Sequence, residues 1–218
     1  MPFDKNLKIA HYITSLWANS YVLINPFWKV VTRGFEKAGK NKVYIIVCNH
    51  QSLLDALVIF RLRMHFRWVA KKEIYRLPIA GWVMAMNKYL SVKRGDKESG
   101  LKMLEKAIKY IRQGNSIMIF PEGTRSADGN LNGFKEGAFT LALDTCTNIL
   151  PVIIDGTYKA LPKNSLMLKP KCKIAMEVLD EIDVSLFNQK DIYGLLNHTR
   201  LVMENRLASI RSGRSAIA

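Results

Sequence analysis

Acidic residues are scarce in this chain: 18 Asp and Glu stand against 33 Lys and Arg over 218 residues, a formal net charge of +15. So large an excess selects for anionic partners, which are lipid headgroups, nucleic acid or an acidic carrier protein. Cysteine is scarce too. Cys48, Cys146 and Cys172 are widely spaced and form no C-x-x-C or Cys/His cluster. That argues against zinc and against a disulfide framework, and points to a reduced compartment facing the cytoplasm. Cys48 ends an apolar run two residues before His50 and reads as a buried thiol in preference to a nucleophile. The sequence carries no nucleic-acid motif, and its aromatics fall in apolar runs and not on a basic face, so nucleic acid is not an expected partner. Repeats and low-complexity segments are absent, and the length suits one substantial core.

A long uninterrupted hydrophobic run is also lacking. Between Lys8 and Lys29 there is no formal charge, but His11, Thr14, Ser15, Asn19, Ser20, Asn25 and Pro26 dilute the apolar residues. Trp17, Tyr21 and Trp28 are types that settle at the headgroup level. The stretch therefore predicts an interfacial or re-entrant anchor in preference to a transmembrane span or a core helix. Asp4 precedes it and no small-x-small site follows, which argues against a signal peptide. Residues 1–33 are read as an N-terminal membrane-associating helical segment, and residues 34–218 as an α/β domain.

After Gly39 strand and helix patterns alternate. Residues 43–48, 66–70, 89–93, 116–120, 149–154 and 174–178 are short apolar runs that predict strands. Helices are expected from Ser52 to about residue 64, from Glu136 to about residue 146, and over 191–210. Leu101, Leu104, Ile108 and Ile111 repeat at helical spacing with lysines between them, and Gly114 follows as a stop. Such alternation implies a mostly parallel sheet covered by helices. Trp68 and Trp82 sit among apolar neighbours and read as packing residues, while His11, His65 and His198 have no evident partner.

Two segments carry the chemistry. Asn49-His50-Gln51-Ser52-Leu53-Leu54-Asp55 supplies an imidazole and a carboxylate, a pair able to take a proton from an alcohol and stabilise the imidazolium that forms. Five residues apart on one continuous helix, the pair would diverge by about 140°. His50 is therefore placed in the loop before the helix, where its ring folds back on Asp55. Phe120-Pro121-Glu122-Gly123-Thr124-Arg125-Ser126 follows a strand and supplies a glycine turn and an arginine suited to an anion. Lys71, Lys72, Arg76, Lys88, Lys93 and Arg94 add positive charge, and the lysines from 159 to 173 suggest a membrane-facing or donor-docking surface.

Together these blocks resemble the 1-acyl-sn-glycerol-3-phosphate acyltransferase family. The shared pattern includes Val92-Lys93-Arg94, Leu150-Pro151-Val152, Ala70-Lys71-Lys72-Glu73 and Gly133-Phe134-Lys135-Glu136-Gly137, and covers about residues 30–180. The departures are mild, with leucine before Pro151 where valine is common. The resemblance implies His50 as catalytic base with Asp55 as its partner, and Arg125, Lys71 and Arg94 on the acceptor phosphate. It implies that Glu122 and Gly123 shape the acceptor site, with backbone N–H groups near Gly123 or Thr124 expected to hold the oxyanion. The implied reaction moves an acyl group from acyl-CoA or acyl carrier protein to the sn-2 hydroxyl of lysophosphatidic acid, making phosphatidic acid at the cytoplasmic face of an anionic membrane. It needs no metal and no cofactor beyond the donor. Acylation of another lysolipid or a hydroxylated aminolipid, and an inactive lipid-binding role, are the competing readings.

Overall fold

The computed structural model describes residue 4, residues 6–165 and residues 167–215, with side chains through residue 213. Residues 1–3 and 5 of the expected N-terminal segment, and 166 and 216–218 of the α/β region, lie outside the described residues. Seven strands form one sheet: β1 (Trp28–Arg33), β2 (Ile45–Cys48), β3 (Phe66–Lys71), β4 (Leu90–Val92), β5 (Ser116–Ile119), β6 (Ile149–Asp155) and β7 (Cys172–Val178). Their spatial order is β1-β7-β6-β2-β5-β3-β4. Every neighbouring pair is parallel except β6 and β7. The expected mostly parallel α/β architecture is the one observed.

Strands β2, β5 and β6 are buried along their whole length, so their sequences are near-continuous apolar runs, interrupted only at their ends by Ser116 and Asp155. The two-residue period of a strand divides them between two cores. Ile46, Cys48, Met118, Leu150, Val152 and Ile154 face one core, shared with helices α1 (Lys8–Ile24), α2 (Asp55–Val58) and α3 (Ala80–Met86). Ile45, Val47, Ile117, Ile119, Ile149 and Ile153 face the other, covered by α4 (Lys97–Arg112), α5 (Gly137–Asp144) and α7 (Ile192–Ser215). The short helix α6 (Thr157–Ala160) follows β6 directly.

Helix α4 matches its sequence signals: the Asp96 carboxylate accepts a hydrogen bond from the Ser99 N–H at 2.9 Å, and Gly114 takes φ +80° after its end. Three features differ from expectation. Residues 28–33, grouped in sequence with the N-terminal helical segment, form the edge strand β1, paired in parallel with β7. Their exposed-and-half-buried alternation with Val31 outward concealed a strand pattern behind the preceding aromatic residues. The helix expected from Ser52 is only α2 and one 3₁₀ turn, Ile59–Leu62, ended by Arg63 at φ +54°. Its first N–H groups are taken by the Asp55 side chain, which makes a turn of residues 51–54. Trp82, expected to pack, is 72% exposed.

Helix α1 is capped by Asp4, whose carboxylate accepts from the N–H groups of Lys8, Ile9 and Ala10. It buries Ala10, His11, Thr14, Ala18 and Val22, and leaves Ile9, Tyr12, Ile13, Leu16, Leu23 and Ile24 in solvent. His11 has partners that sequence did not reveal: its ring bonds the Tyr89 hydroxyl at 2.9 Å and the Met64 carbonyl at 3.1 Å. Burial lowers its pKa to about 3, helped by the neighbouring His65, which is itself lowered to about 4 chiefly by burial. No helix among the described residues is long and apolar enough to cross a membrane.

Candidate active site

The loops after β2, β3, β4, β5 and β6 converge at the carboxyl edge of the parallel strands, where open α/β sheets bind ligands. His50 follows β2. Its Nδ1 lies 2.8 Å from Asp55 Oδ2. A carboxylate only accepts, so Nδ1 carries a proton, and in the neutral ring Nε2 keeps its lone pair. Among the described residues Nε2 makes no hydrogen bond, and His50 lines the adjacent cavity. The ring stacks on Phe120, with centroids 4.0 Å apart.

Asp55 is fully buried and over-determined. Oδ2 also accepts from the N–H groups of Gln51 at 2.6 Å and Ser52 at 2.8 Å, and Oδ1 accepts from the Thr157 hydroxyl at 2.5 Å. Gln51 is bonded through its amide to the Gly129 carbonyl and the Gly156 N–H. Gly156 takes φ +99°, and a Cβ there would lie 2.2 Å from the Lys173 carbonyl oxygen, so only glycine lets this turn bring Thr157 under Asp55. Neither Gln51 nor Thr157 was given a role in sequence, because the Thr157 hydroxyl and the partners of the Gln51 side chain come together only through contacts remote in sequence, with β2 and β6 side by side.

Glu122 joins the two motifs. One carboxylate oxygen accepts the His50 N–H at 2.8 Å; the other accepts both the backbone and side-chain N–H of Asn132. From the same segment, the Ser126 N–H donates to the His50 carbonyl at 2.7 Å. Burial raises the Glu122 pKa, against the opposing pull of the His50 and Asn132 donors. Gly123 adopts φ +67° and its N–H closes a turn onto the Phe120 carbonyl at 3.1 Å. That donor is engaged in the turn. The Thr124 N–H makes no hydrogen bond among the described residues. Cys48 is wholly buried, and burial, reinforced by the charges of Asp55 and Glu122, pushes its thiol well above the ordinary range. It has the character of a core residue.

A cavity of about 480 Å³ opens beside His50. Its wall is apolar, with Trp17 of α1, Leu57, Phe60, Trp68, Val83 and Met84 among its residues. Positive charge is added by Lys71, Lys93, Arg94 and Lys135, against the single carboxylate of Asp96. Of the residues expected from sequence, His50, Lys71, Arg94 and Gly123 line this cavity together. Glu122 is buried behind it, Thr124 is exposed, and Arg125 is half-buried; none of these three lines it. Lys135 is the cation that sequence reasoning left without a role. Its side chain stands where a Cβ on Gly123 would come, with Cε 3.0 Å away. Its presence in the Gly133 to Gly137 block was the available signal. Among the described residues no group of three or more His, Cys, Asp or Glu could hold a metal ion.

The model of the family described as Acyltransferase matches residues 29–155. The chain is 35% identical over 194 residues to the chloroplastic 1-acyl-sn-glycerol-3-phosphate acyltransferase BAT2 of Brassica napus, covering 88% of this chain and 53% of that protein. It is 32% identical over 184 residues to the 1-acyl-sn-glycerol-3-phosphate acyltransferase of Borreliella burgdorferi, covering 84% of this chain and 73% of that one. It spans about half the length of its plant and algal relatives. Among solved structures it resembles the 1-acyl-sn-glycerophosphate acyltransferase PlsC of Thermotoga maritima, with TM-score 0.75 and 29% identity over 85% of this chain and 73% of that one. The block order, the fold and these matches converge on one assignment: the chain belongs to the acyltransferase family.

Proposed function

We propose that this protein moves a fatty acyl group from an acyl thioester, carried on coenzyme A or on acyl carrier protein, to the free sn-2 hydroxyl of 1-acyl-sn-glycerol 3-phosphate. The observation that carries this reading is the position of His50: a proton-accepting imidazole, fixed by Asp55, on a cavity that has an apolar wall and four cations. The apolar wall suits an acyl chain and the cations suit a phosphate monoester. Lys71 is paired with Glu73 and Lys93 with Asp96, each at 3.5 Å, while Arg94 and Lys135 have no carboxylate partner among the described residues, which leaves two cations for an acceptor phosphate.

In the reaction, His50 Nε2 takes the proton of the acceptor hydroxyl as its oxygen bonds the thioester carbonyl carbon. Asp55 offsets the imidazolium charge. The tetrahedral oxyanion collapses with cleavage of the carbon–sulfur bond, and the imidazolium returns its proton to the departing thiolate. Backbone N–H groups of the turn at Gly123, which lines the cavity, and at Thr124 are the proposed donors to the oxyanion. No acyl-enzyme, metal or cofactor other than the donor enters this scheme.

The exposed apolar face of helix α1 supports action at a membrane surface, which we take to be anionic and cytoplasmic from the chain's +15 charge and unpaired cysteines. The helix turns Tyr12, Ile13, Leu16, Leu23 and Ile24 to solvent while small and polar residues pack inward, the reverse of a helix seated only on a protein core. The relatives' names support the acceptor. The test is transfer from a long-chain acyl thioester to lysophosphatidic acid, with a neutral lysolipid in parallel. His50→Ala is expected to lose about 100- to 10,000-fold in kcat. Turnover surviving that substitution would overturn the mechanism, and turnover only on the neutral lysolipid would overturn the acceptor.

A further inference from the structure

The segment from Leu77 to Met86 is folded against its own interest. Ile79 adopts φ +64° and ψ −61°, closing a three-residue turn in which the Ala80 N–H donates to the Pro78 carbonyl at 2.7 Å. This conformation is rare and strained, the more so for a β-branched residue. Gly81 is buried beneath it, and a Cβ there would lie 2.3 Å from the Tyr75 carbonyl oxygen, so the turn is pressed on the body of the protein. The strain yields no packing of these side chains in return: Ile79 is 50% exposed, and Trp82 and Met86, three and seven residues on along one face of α3, are 72% and 53% exposed. Strain held at an exposed apolar turn marks a site with a purpose outside the folded core.

We infer that this turn and α3 form a second membrane-docking element, separate from α1, which inserts Ile79, Trp82 and Met86 among the lipids of an anionic bilayer. Charge complementarity identifies the occupant. Lys72, Arg76 and Lys88 are exposed in the adjoining sequence, with Lys93 and Arg94 at the cavity that the same element lines, so cations accompany the exposed apolar side chains and tryptophan of this element. Continuity with the cavity supports it. Ala80, Val83 and Met84, on the inner side of the same element, line the cavity together with Trp17 of α1 and the half-exposed Leu53. Docking through both helices places the cavity against the bilayer, so that an acyl chain enters from lipid without crossing water. What enters rests on the acyltransferase reading; the docking itself does not.

The experiment compares wild type, Trp82→Glu and the control Leu186→Glu, the last at an 80% exposed leucine outside the cavity. Partition onto vesicles of phosphatidylcholine and phosphatidylglycerol is measured, alongside transfer between a short-chain acyl-CoA and a monomeric short-chain lysophosphatidate without vesicles. Trp82→Glu is expected to weaken partition by about tenfold or more, with turnover of the soluble pair unchanged and Leu186→Glu like wild type. Unchanged partition overturns the inference, and if sedimentation then shows a dimer becoming a monomer, the occupant is a second copy of this chain. Parallel loss of soluble turnover also overturns it, by placing Trp82 in the site or the fold. Wild type that partitions through Trp82 but transfers no acyl group would leave the docking standing and remove the enzymatic reading.

Discussion

Asp55→Asn separates the charge of the carboxylate from its geometry. Oδ2 receives three N–H donors, from His50, Gln51 and Ser52, and Oδ1 receives the Thr157 hydroxyl. An asparagine can meet this set by placing its carbonyl oxygen at the Oδ2 position and its NH₂ toward Thr157, whose hydroxyl rotates to accept. The two backbone donors forbid the flipped amide, so the His50 tautomer survives. What is lost is the attraction between carboxylate and imidazolium in the transition state, ~4 kcal/mol for unit charges about 4 Å apart at an effective dielectric of 20. The neutral hydrogen bond that remains returns ~1 kcal/mol. The net of ~3 kcal/mol is about two orders of magnitude in kcat, against the roughly 10,000-fold that follows where such a substitution reverses the tautomer. Asp55→Ala instead orphans buried donors at ~1–3 kcal/mol each and is expected to destabilise the fold. Steady-state acyl transfer with denaturation curves for both variants makes the comparison. Asp55→Asn as inactive as His50→Ala would show that Gln51 and Ser52 do not control the side chain, and an unaffected Asp55→Asn would show that its charge is unused.

Cys48→Ala is expected to retain wild-type kcat, since its buried thiol has no route to the substrate; loss of transfer with the fold intact would reinstate a thiol nucleophile. Lys135→Ala is expected to raise KM for lysophosphatidic acid about tenfold or more through loss of a charge-assisted contact, and to do so more than Arg125→Ala, because Lys135 lines the cavity and Arg125 does not; the opposite order refutes the placement. His11 and His65, with pKa values lowered by burial to about 3 and about 4, bind protons more readily in the unfolded chain. The stability from keeping them neutral is therefore present above about pH 6.5 and drains away as pH falls toward those values. Urea midpoints should fall across that window, less steeply in His11→Gln, and equal slopes would refute the assignment.

The parallel sheet was legible because β2, β5 and β6 are buried on both faces, which gives near-continuous apolar runs too short and too β-branched for helices. Strand β1 was not, since an edge strand with one half-covered face carries Lys29, Val31 and Arg33 outward and mimics the end of an interfacial segment. The His50–Asp55 pair was legible from spacing and loop logic. Thr157 was not, because nothing local to it announces a carboxylate 102 positions away that the pairing of β2 with β6 brings within reach, and the side-chain bonds of Gln51 to Gly129 and Gly156 are equally remote in sequence. Trp82 was misread for a related reason: apolar neighbours in sequence imply packing only if the backbone turns inward, and the strained conformation at Ile79 is invisible to periodicity.

Glu122 shows why the two motifs depend on each other. Three N–H groups, one from His50 and two from Asn132, converge on two oxygens that only accept. A glutamine cannot satisfy them. With its oxygen toward His50, its NH₂ meets the two donors of Asn132; turned over, it meets the His50 N–H. Either way a part-buried donor loses its acceptor at ~1 kcal/mol or more, and if that loss is expressed as displacement of His50 it reduces kcat by about tenfold. Overall stability should fall less than this, because glutamine also removes a charge that burial disfavours, as the raised pKa of Glu122 records. Glu122→Gln is therefore expected to lower kcat with little change in denaturation midpoint. Adding Asn132→Asp should restore part of the rate, since the new carboxylate accepts from the glutamine NH₂ while the glutamine oxygen holds His50. A wild-type kcat in Glu122→Gln would mean that the Ser126 N–H on the His50 carbonyl suffices to position the base.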